Sequence, residues 1–244
     1  MLLRPLWENS NPSEVRDWKP FSQDLLQFLA SRSPGPVIGV GHSIGGIVTL
    51  RAALSDPYKF RALVLIDPVL FVPASMARWH LVRLLGLGGR LHPLISRANK
   101  RRRSFDDLDK VFRSYRSREI FRYLSDENLH GYIEGITQPL PDGTYELVYS
   151  PEWEAHIYRT AMHDFDIWKD LPGLEVPALF LRGAETDTFL NDAASLVKRK
   201  NPKVRVEVLE ASTHLLPLER PREVYDLIES FLQETLKAPV TAGS

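Results

Sequence analysis

Four short runs of the chain are apolar and rich in branched residues: Val37–Val40, Ala62–Ile66, Ala178–Leu181 and Val204–Leu209. Apolar runs of this length, with no strict alternation, predict strands covered on both faces, as in a parallel sheet. Between them the period changes. Trp18, Phe21, Leu25, Phe28 and Leu29 recur at helical spacing and predict one apolar helix face. Val224, Leu227, Ile228, Phe231 and Leu232 do the same near the C-terminus, after Pro221 at a first-turn position. Gly45 to Leu54 predicts a helix directly after the first strand. Asp192 to Lys200 predicts another between the third and fourth, ending before Asn201-Pro202. Strand and helix in alternation predict an α/β fold with a mostly parallel sheet flanked by helices.

More than a hundred residues, Asp67 to Pro177, separate the second strand from the third. That is too long for a simple crossover. The insertion has its own apolar periodicities (Met76, Trp79, Leu81, Leu84, Leu85; then Leu108, Val111, Phe112, Tyr115) and a hairpin turn signal at Pro141-Asp142-Gly143. The expected organisation is therefore a core of residues 1–67 and 173–244 with a mainly helical cap insertion, 68–172, covering the site.

Charge alters this picture only locally. Lys plus Arg and Asp plus Glu are equal at 31 each, so no global field recruits nucleic acid or anionic lipid. From Arg78 to Arg122, thirteen Lys or Arg stand against four Asp or Glu. The run Lys100-Arg101-Arg102-Arg103 reads as a solvated loop, the alternative being a surface for an anionic substrate or acidic partner. The absence of cysteine excludes disulfides, thiol catalysis and thiolate metal sites. No apolar run suits a signal peptide or a membrane span, so a cytoplasmic protein is the expectation.

The chemistry centres on Gly41-His42-Ser43-Ile44-Gly45-Gly46, which directly follows a strand and precedes a helix. A serine hydroxyl is a weak nucleophile unless it is presented exposed at a sharp strand-to-helix turn, against a base. Small residues at 41 and 45 permit that turn. The helix start offers the Ile44 N–H as one oxyanion donor. Two later strands run into loops ending on the partners a serine needs. The loop after Leu179–Leu181 reaches Asp187, and the loop after Val206–Leu209 reaches His214. Functional groups of parallel sheets gather at the carboxyl ends of strands. Ser43 as nucleophile, Asp187 as acid and His214 as base follow in that order.

Other polar residues have blander readings. His42 is expected to pack or hydrogen-bond at the turn. Asp67, after the second strand, is the alternative acid, with a structural loop role otherwise; Glu185 is a weaker one. His156, His163, Asp164 and Asp166 have spacing that permits a metal, but read as surface or packing residues, so no metal is assigned. Tyr149, Trp153 and Tyr158 read as core before acyl pocket. No cofactor is called for.

Gly-His-Ser-Ile-Gly-Gly, the Leu181-Arg182-Gly183-Ala184-Glu185-Thr186-Asp187 loop and the Thr213-His214-Leu215-Leu216-Pro217-Leu218-Glu219-Arg220-Pro221 ending resemble the α/β-hydrolase superfamily, from about Trp18 to Leu236. The resemblance implies the same three roles. Ser rather than Asp at the turn separates the chain from the dehalogenase and epoxide-hydrolase branches. Members normally carry several strands before the turn, one followed by a loop that donates the second oxyanion N–H. Here about forty residues precede Ser43 and no glycine occurs before Gly35. The expectation is an N-terminally shortened fold: an internal Met1 taken as the start of a longer gene or, less favoured, a short variant stabilised by a partner. It leaves Val37–Val40 as an exposed apolar edge.

The expected function is hydrolysis of carboxylic esters of small to medium substrates through an acyl-enzyme. The alternatives are the same triad acting on amide, thioester or C–C bonds or in perhydrolysis or acyl transfer, and, from another class, a non-catalytic binding protein on a hydrolase scaffold. The expected partner is a small-molecule ester; oligomeric state is left open.

Overall fold

The computed structural model describes residues 10–32, 35–86 and 93–237. In chain order, helix α1 (Lys19–Arg32) leads to strand β1 (Val37–His42), α2 (Ile44–Ser55) and β2 (Phe60–Ile66). Then come α3 (Pro73–Leu84), α4 (Pro93–Asn99), β3 (Ser104–Phe105), α5 (Leu108–Arg116) and α6 (Asp126–Ile136). A hairpin of β4 (Thr137–Pro139) and β5 (Tyr145–Leu147) precedes α7 (Pro151–Arg159) and α8 (Phe165–Asp170). The chain closes with β6 (Ala178–Gly183), α9 (Asn191–Lys200), β7 (Arg205–Leu209), α10 (Leu216–Glu219) and α11 (Pro221–Lys237).

The chain forms two compact units. One combines Phe21–Val72 with the stretch from Asp164 onward; the other combines Pro73–His163 with the N-terminal residues up to Pro20.

In the first, β1, β2, β6 and β7 lie side by side in that order, every neighbouring pair parallel. The apolar strand runs therefore form the sheet that the sequence predicts. On one face Ala62, Val64, Ile66, Leu179, Leu181 and Leu209 pack with Leu216, Val224 and Phe231, so α11 covers the sheet centre with its apolar stripe. Phe28 departs from expectation, being exposed while Phe21 and Leu29 are buried. The inward face of α1 instead takes the small or polar Ser22 and Asp24. At the end of the sheet, β1 leaves Ile38 and Val40 exposed.

Within this unit Arg51 of α2, 7% exposed, bonds Asp164 at 2.5 Å and also pairs with Asp166. The start of α8 is thereby tied to the helix that follows Ser43. The Trp168 indole donates to Phe71 O at 2.8 Å, and Asn201 donates to Leu171 O and Leu174 O.

The other unit is mainly helical, and it also contains a three-stranded antiparallel sheet in the order β3-β5-β4. Its hairpin turns where Pro141-Asp142-Gly143 marks it, with Gly143 at φ 84° and Asp142 accepting from Thr144 N at 2.9 Å. Asp107, Ser125 and Ser150 cap α5, α6 and α7 through their side chains. The basic run is not uniformly solvated. Lys100 and Arg102 are exposed, whereas half-buried Arg101 pairs with Glu154 at 2.8 Å and bonds the Tyr115 hydroxyl. Burial beside this carboxylate pushes the Tyr158 hydroxyl pKa up. Burial likewise pushes that of Tyr149 to about 12.

Candidate active site

The turn after β1 forces Ser43 to φ 57° and ψ −125°, a left-handed conformation that costs a residue bearing a Cβ. The close return of the chain requires glycine just before it: a Cβ on Gly41 would lie 2.3 Å from Gly45 O. Ser43 N donates to Ile66 O at 3.0 Å, tying the turn to β2. Ile44 opens α2, where backbone N–H groups have no acceptor within the helix.

His214 lies between β7 and α10. Its loop is braced by Glu219, whose buried carboxylate accepts from Thr213 N at 2.6 Å and Thr213 Oγ1 at 2.7 Å. Gly183 lets the loop press against the end of β6, since a Cβ there would sit 2.4 Å from Thr213 O. So held, His214 places Nε2 2.9 Å from Ser43 Oγ and Nδ1 2.7 Å from Asp67 Oδ2. The consistent assignment has the serine hydroxyl donating to Nε2 and Nδ1–H donating to the carboxylate.

The carboxylate beside His214 differs from expectation. Asp187 is exposed, and its Oδ1 accepts from Thr188 Oγ1 at 3.2 Å. Asp67, fully buried at φ 41°, takes the place beside His214. The reason lies in the sheet order. Asp67 directly follows β2, which runs between β1 and β6, whereas Asp187 comes four residues after β6 ends. In the β6 loop it is Thr186 that turns inward, donating to Asp67 Oδ2 at 2.5 Å, while Gly183 N donates to Oδ1 at 3.3 Å. Thr186, Gly183 and Glu219 are supports that sequence reasoning missed. The available signal was the position of Asp67 one residue beyond the unbroken apolar run Ala62–Ile66. Glu185 is exposed.

His42 ends β1. Its Nε2 lies 2.8 Å from His214 O, and the two rings have centroids 4.8 Å apart. Burial, and then the neighbouring His214, hold its pKa below the ordinary histidine value. The four residues with metal-compatible spacing have other partners: His156 bonds Val15 O and His163 contacts Arg83, while Asp164 and Asp166 serve Arg51.

The model of the alpha/beta hydrolase family matches residues 7–227. The chain belongs to the alpha/beta hydrolase family. This hydrolase is 26% identical over 212 residues to Lipase LipV of Mycobacterium tuberculosis, covering 85% of this chain and 73% of that protein. It is 23% identical over 226 residues to the sn-1-specific diacylglycerol lipase ABHD11 of Danio rerio, covering 91% of this chain and 65% of that one. Among solved structures, E-2-(acetamidomethylene)succinate hydrolase superposes with a TM-score of 0.73 at 20% identity, over 90% of this chain and 75% of that one, and so shares the fold. Among the described residues, no helix of the hydrolase is long and apolar enough to cross a membrane.

Proposed function

We propose that this hydrolase cleaves carboxylic esters of small to medium substrates, with Ser43 as nucleophile, His214 as general base and Asp67 as orienting acid. The observation that carries the reading is the unbroken hydrogen-bonded run from Ser43 Oγ through both nitrogens of His214 to Asp67 Oδ2, at 2.9 and 2.7 Å. Ester chemistry is favoured by the lipase names of LipV and ABHD11.

In this mechanism His214 Nε2 takes the hydroxyl proton as Ser43 Oγ attacks the ester carbonyl carbon. Asp67 holds the ring by Nδ1 and stabilises the imidazolium that forms. The Ile44 N–H faces the developing oxyanion from the start of α2. Nε2–H then protonates the departing alcohol, leaving an acyl-serine. Water, deprotonated by the same Nε2, attacks that ester and releases the acid and the free serine.

A fluorophosphonate probe and a short-chain aryl ester test the reading together. Labelling at Ser43 and ester hydrolysis, both abolished in Ser43→Ala, are the expected results. A protein that the probe does not label, or hydrolysis that survives Ser43→Ala, overturns it.

A further inference from the structure

We propose that His42 is a positioning residue for this reaction, setting the distance between Ser43 and His214 by holding the backbone of the base. The inference rests on the reading of Ser43 and His214 given above and goes beyond it in assigning a role to a residue whose hydrogen bond goes to the main chain of the base.

The observations are geometric. Three of the contacts that hold the His214 loop set the place of the base. Glu219 grips the preceding residue, Thr213, and Asp67 grips the imidazole. The third contact, His42 Nε2 to His214 O at 2.8 Å, grips the backbone of His214 itself. His42 is also the residue bonded to Ser43. One peptide bond and one hydrogen bond thus connect the nucleophile to the base's main chain, independently of the side-chain contact between them.

The chemistry of the contact fixes what residue 42 must supply. A carbonyl oxygen only accepts, so Nε2 carries the hydrogen. The donor must also be uncharged. His214 becomes an imidazolium as it takes the serine proton, and a second cation with its ring 4.8 Å away would oppose that charge. Burial and the neighbouring imidazole both favour the neutral form of His42. A neutral ring that donates through Nε2 meets both demands, and the amide of glutamine is the nearest substitute.

The test compares His42→Phe, which keeps a ring without a donor, with His42→Gln, which keeps a neutral donor without a ring. Each full-length variant is assayed for fluorophosphonate labelling rate, for kcat and KM on a short-chain aryl ester, and for thermal midpoint. A displacement of about 1 Å in a reacting group can cost on the order of 100-fold. His42→Phe is therefore expected to lose roughly 10- to 100-fold in labelling rate and kcat, with KM changed less than about twofold. His42→Gln is expected to recover most of that loss, whatever its thermal midpoint. Equal losses in both variants, or losses that track the thermal midpoint, mean that ring packing is what matters and overturn the proposal. So does a His42→Phe variant that reacts as fast as the unsubstituted protein. If the unsubstituted protein is not labelled, the reading of the site fails and this inference fails with it.

Discussion

Asp67 and His214, 147 residues apart in sequence, meet at 2.7 Å between Oδ2 and Nδ1. The contact depends on where β2 runs. With β1 on one side and β6 on the other, the residue just past Ile66 faces the ends of both neighbours. A buried carboxylate is tolerated only where donors surround it. Asp67 has three, from His214 Nδ1, Thr186 Oγ1 and Gly183 N.

Asp67→Asn tests the assignment of the acid. The amide keeps the shape but can donate where Nδ1–H needs an acceptor, which favours the wrong imidazole tautomer. The expected loss is on the order of 10⁴ in kcat on an aryl ester, the size found for the equivalent change in a serine protease. Asp187→Asn, on an exposed side chain, is expected to stay within about twofold. The reverse result would return the role to Asp187.

Gly183→Ala probes the seat of the base loop. The added Cβ would meet Thr213 O at 2.4 Å and Ser212 O at 2.6 Å, and backbone atoms cannot swing aside. Overpacking of this kind costs about 1–3 kcal/mol, and here it would also displace His214. Urea unfolding should register the loss, and hydrolysis should fall with it. Gly131→Ala in α6 has no atom within 4 Å of the new Cβ and is expected to stabilise by roughly 0.4–1 kcal/mol through the unfolded chain. Equal effects of the two substitutions would contradict the steric argument.

The parts of the molecule that could be read from sequence are those written locally. Ala62–Ile66 and Ala178–Leu181 are apolar because both their faces are covered, and Ser43 stands out because Gly41 and Gly45 flank it between a strand and a helix. His214 follows a strand end in the same way. The carboxylate beside His214 was legible only as a choice between Asp187 and Asp67, because which residue of the β6 loop turns inward depends on how that loop folds back, and there Thr186 takes the inward position. Ser104–Phe105 was invisible for a different reason: two residues cannot display an alternation. The partners of Arg51 lie more than a hundred positions away, beyond any local pattern.

Arg51 gives a stability prediction. Its side chain is 9% exposed and that of Asp164 4%, so removing Arg51 takes a counter-ion from a buried carboxylate. Arg51→Met is expected to cost about 3–5 kcal/mol in chemical unfolding. The double variant Arg51→Met with Asp164→Asn should recover part of this, because the buried negative charge opposite position 51 is removed as well. Additive losses would show that the pair is not coupled.

The depressed pKa of His42 predicts a pH dependence with a definite sign. The ordinary histidine value is 6.5, and burial lowers it in the folded protein, with His214 opposing a second charge and Asp67 partly offsetting it. Between 6.5 and the folded value, the unfolded chain binds a proton that the folded chain refuses. Stability must therefore fall as pH drops through this window and level off below the folded value. His163 contributes in the same direction, through burial and Arg83, and it persists when His42 is replaced. Asp142 and Glu152, whose pKa values are lowered from 3.8 and 4.5, lose their contribution only at more acid pH. Urea midpoints near pH 7.5 and about pH 5.5 isolate the histidines. The unsubstituted protein is expected to be less stable at the lower pH, and His42→Gln to show a smaller drop, because the variant has no group at this position to protonate on unfolding. A drop of the same size in the variant would mean that His42 already accepts its proton in the folded state, which its bond to the His214 carbonyl would allow but its burial opposes.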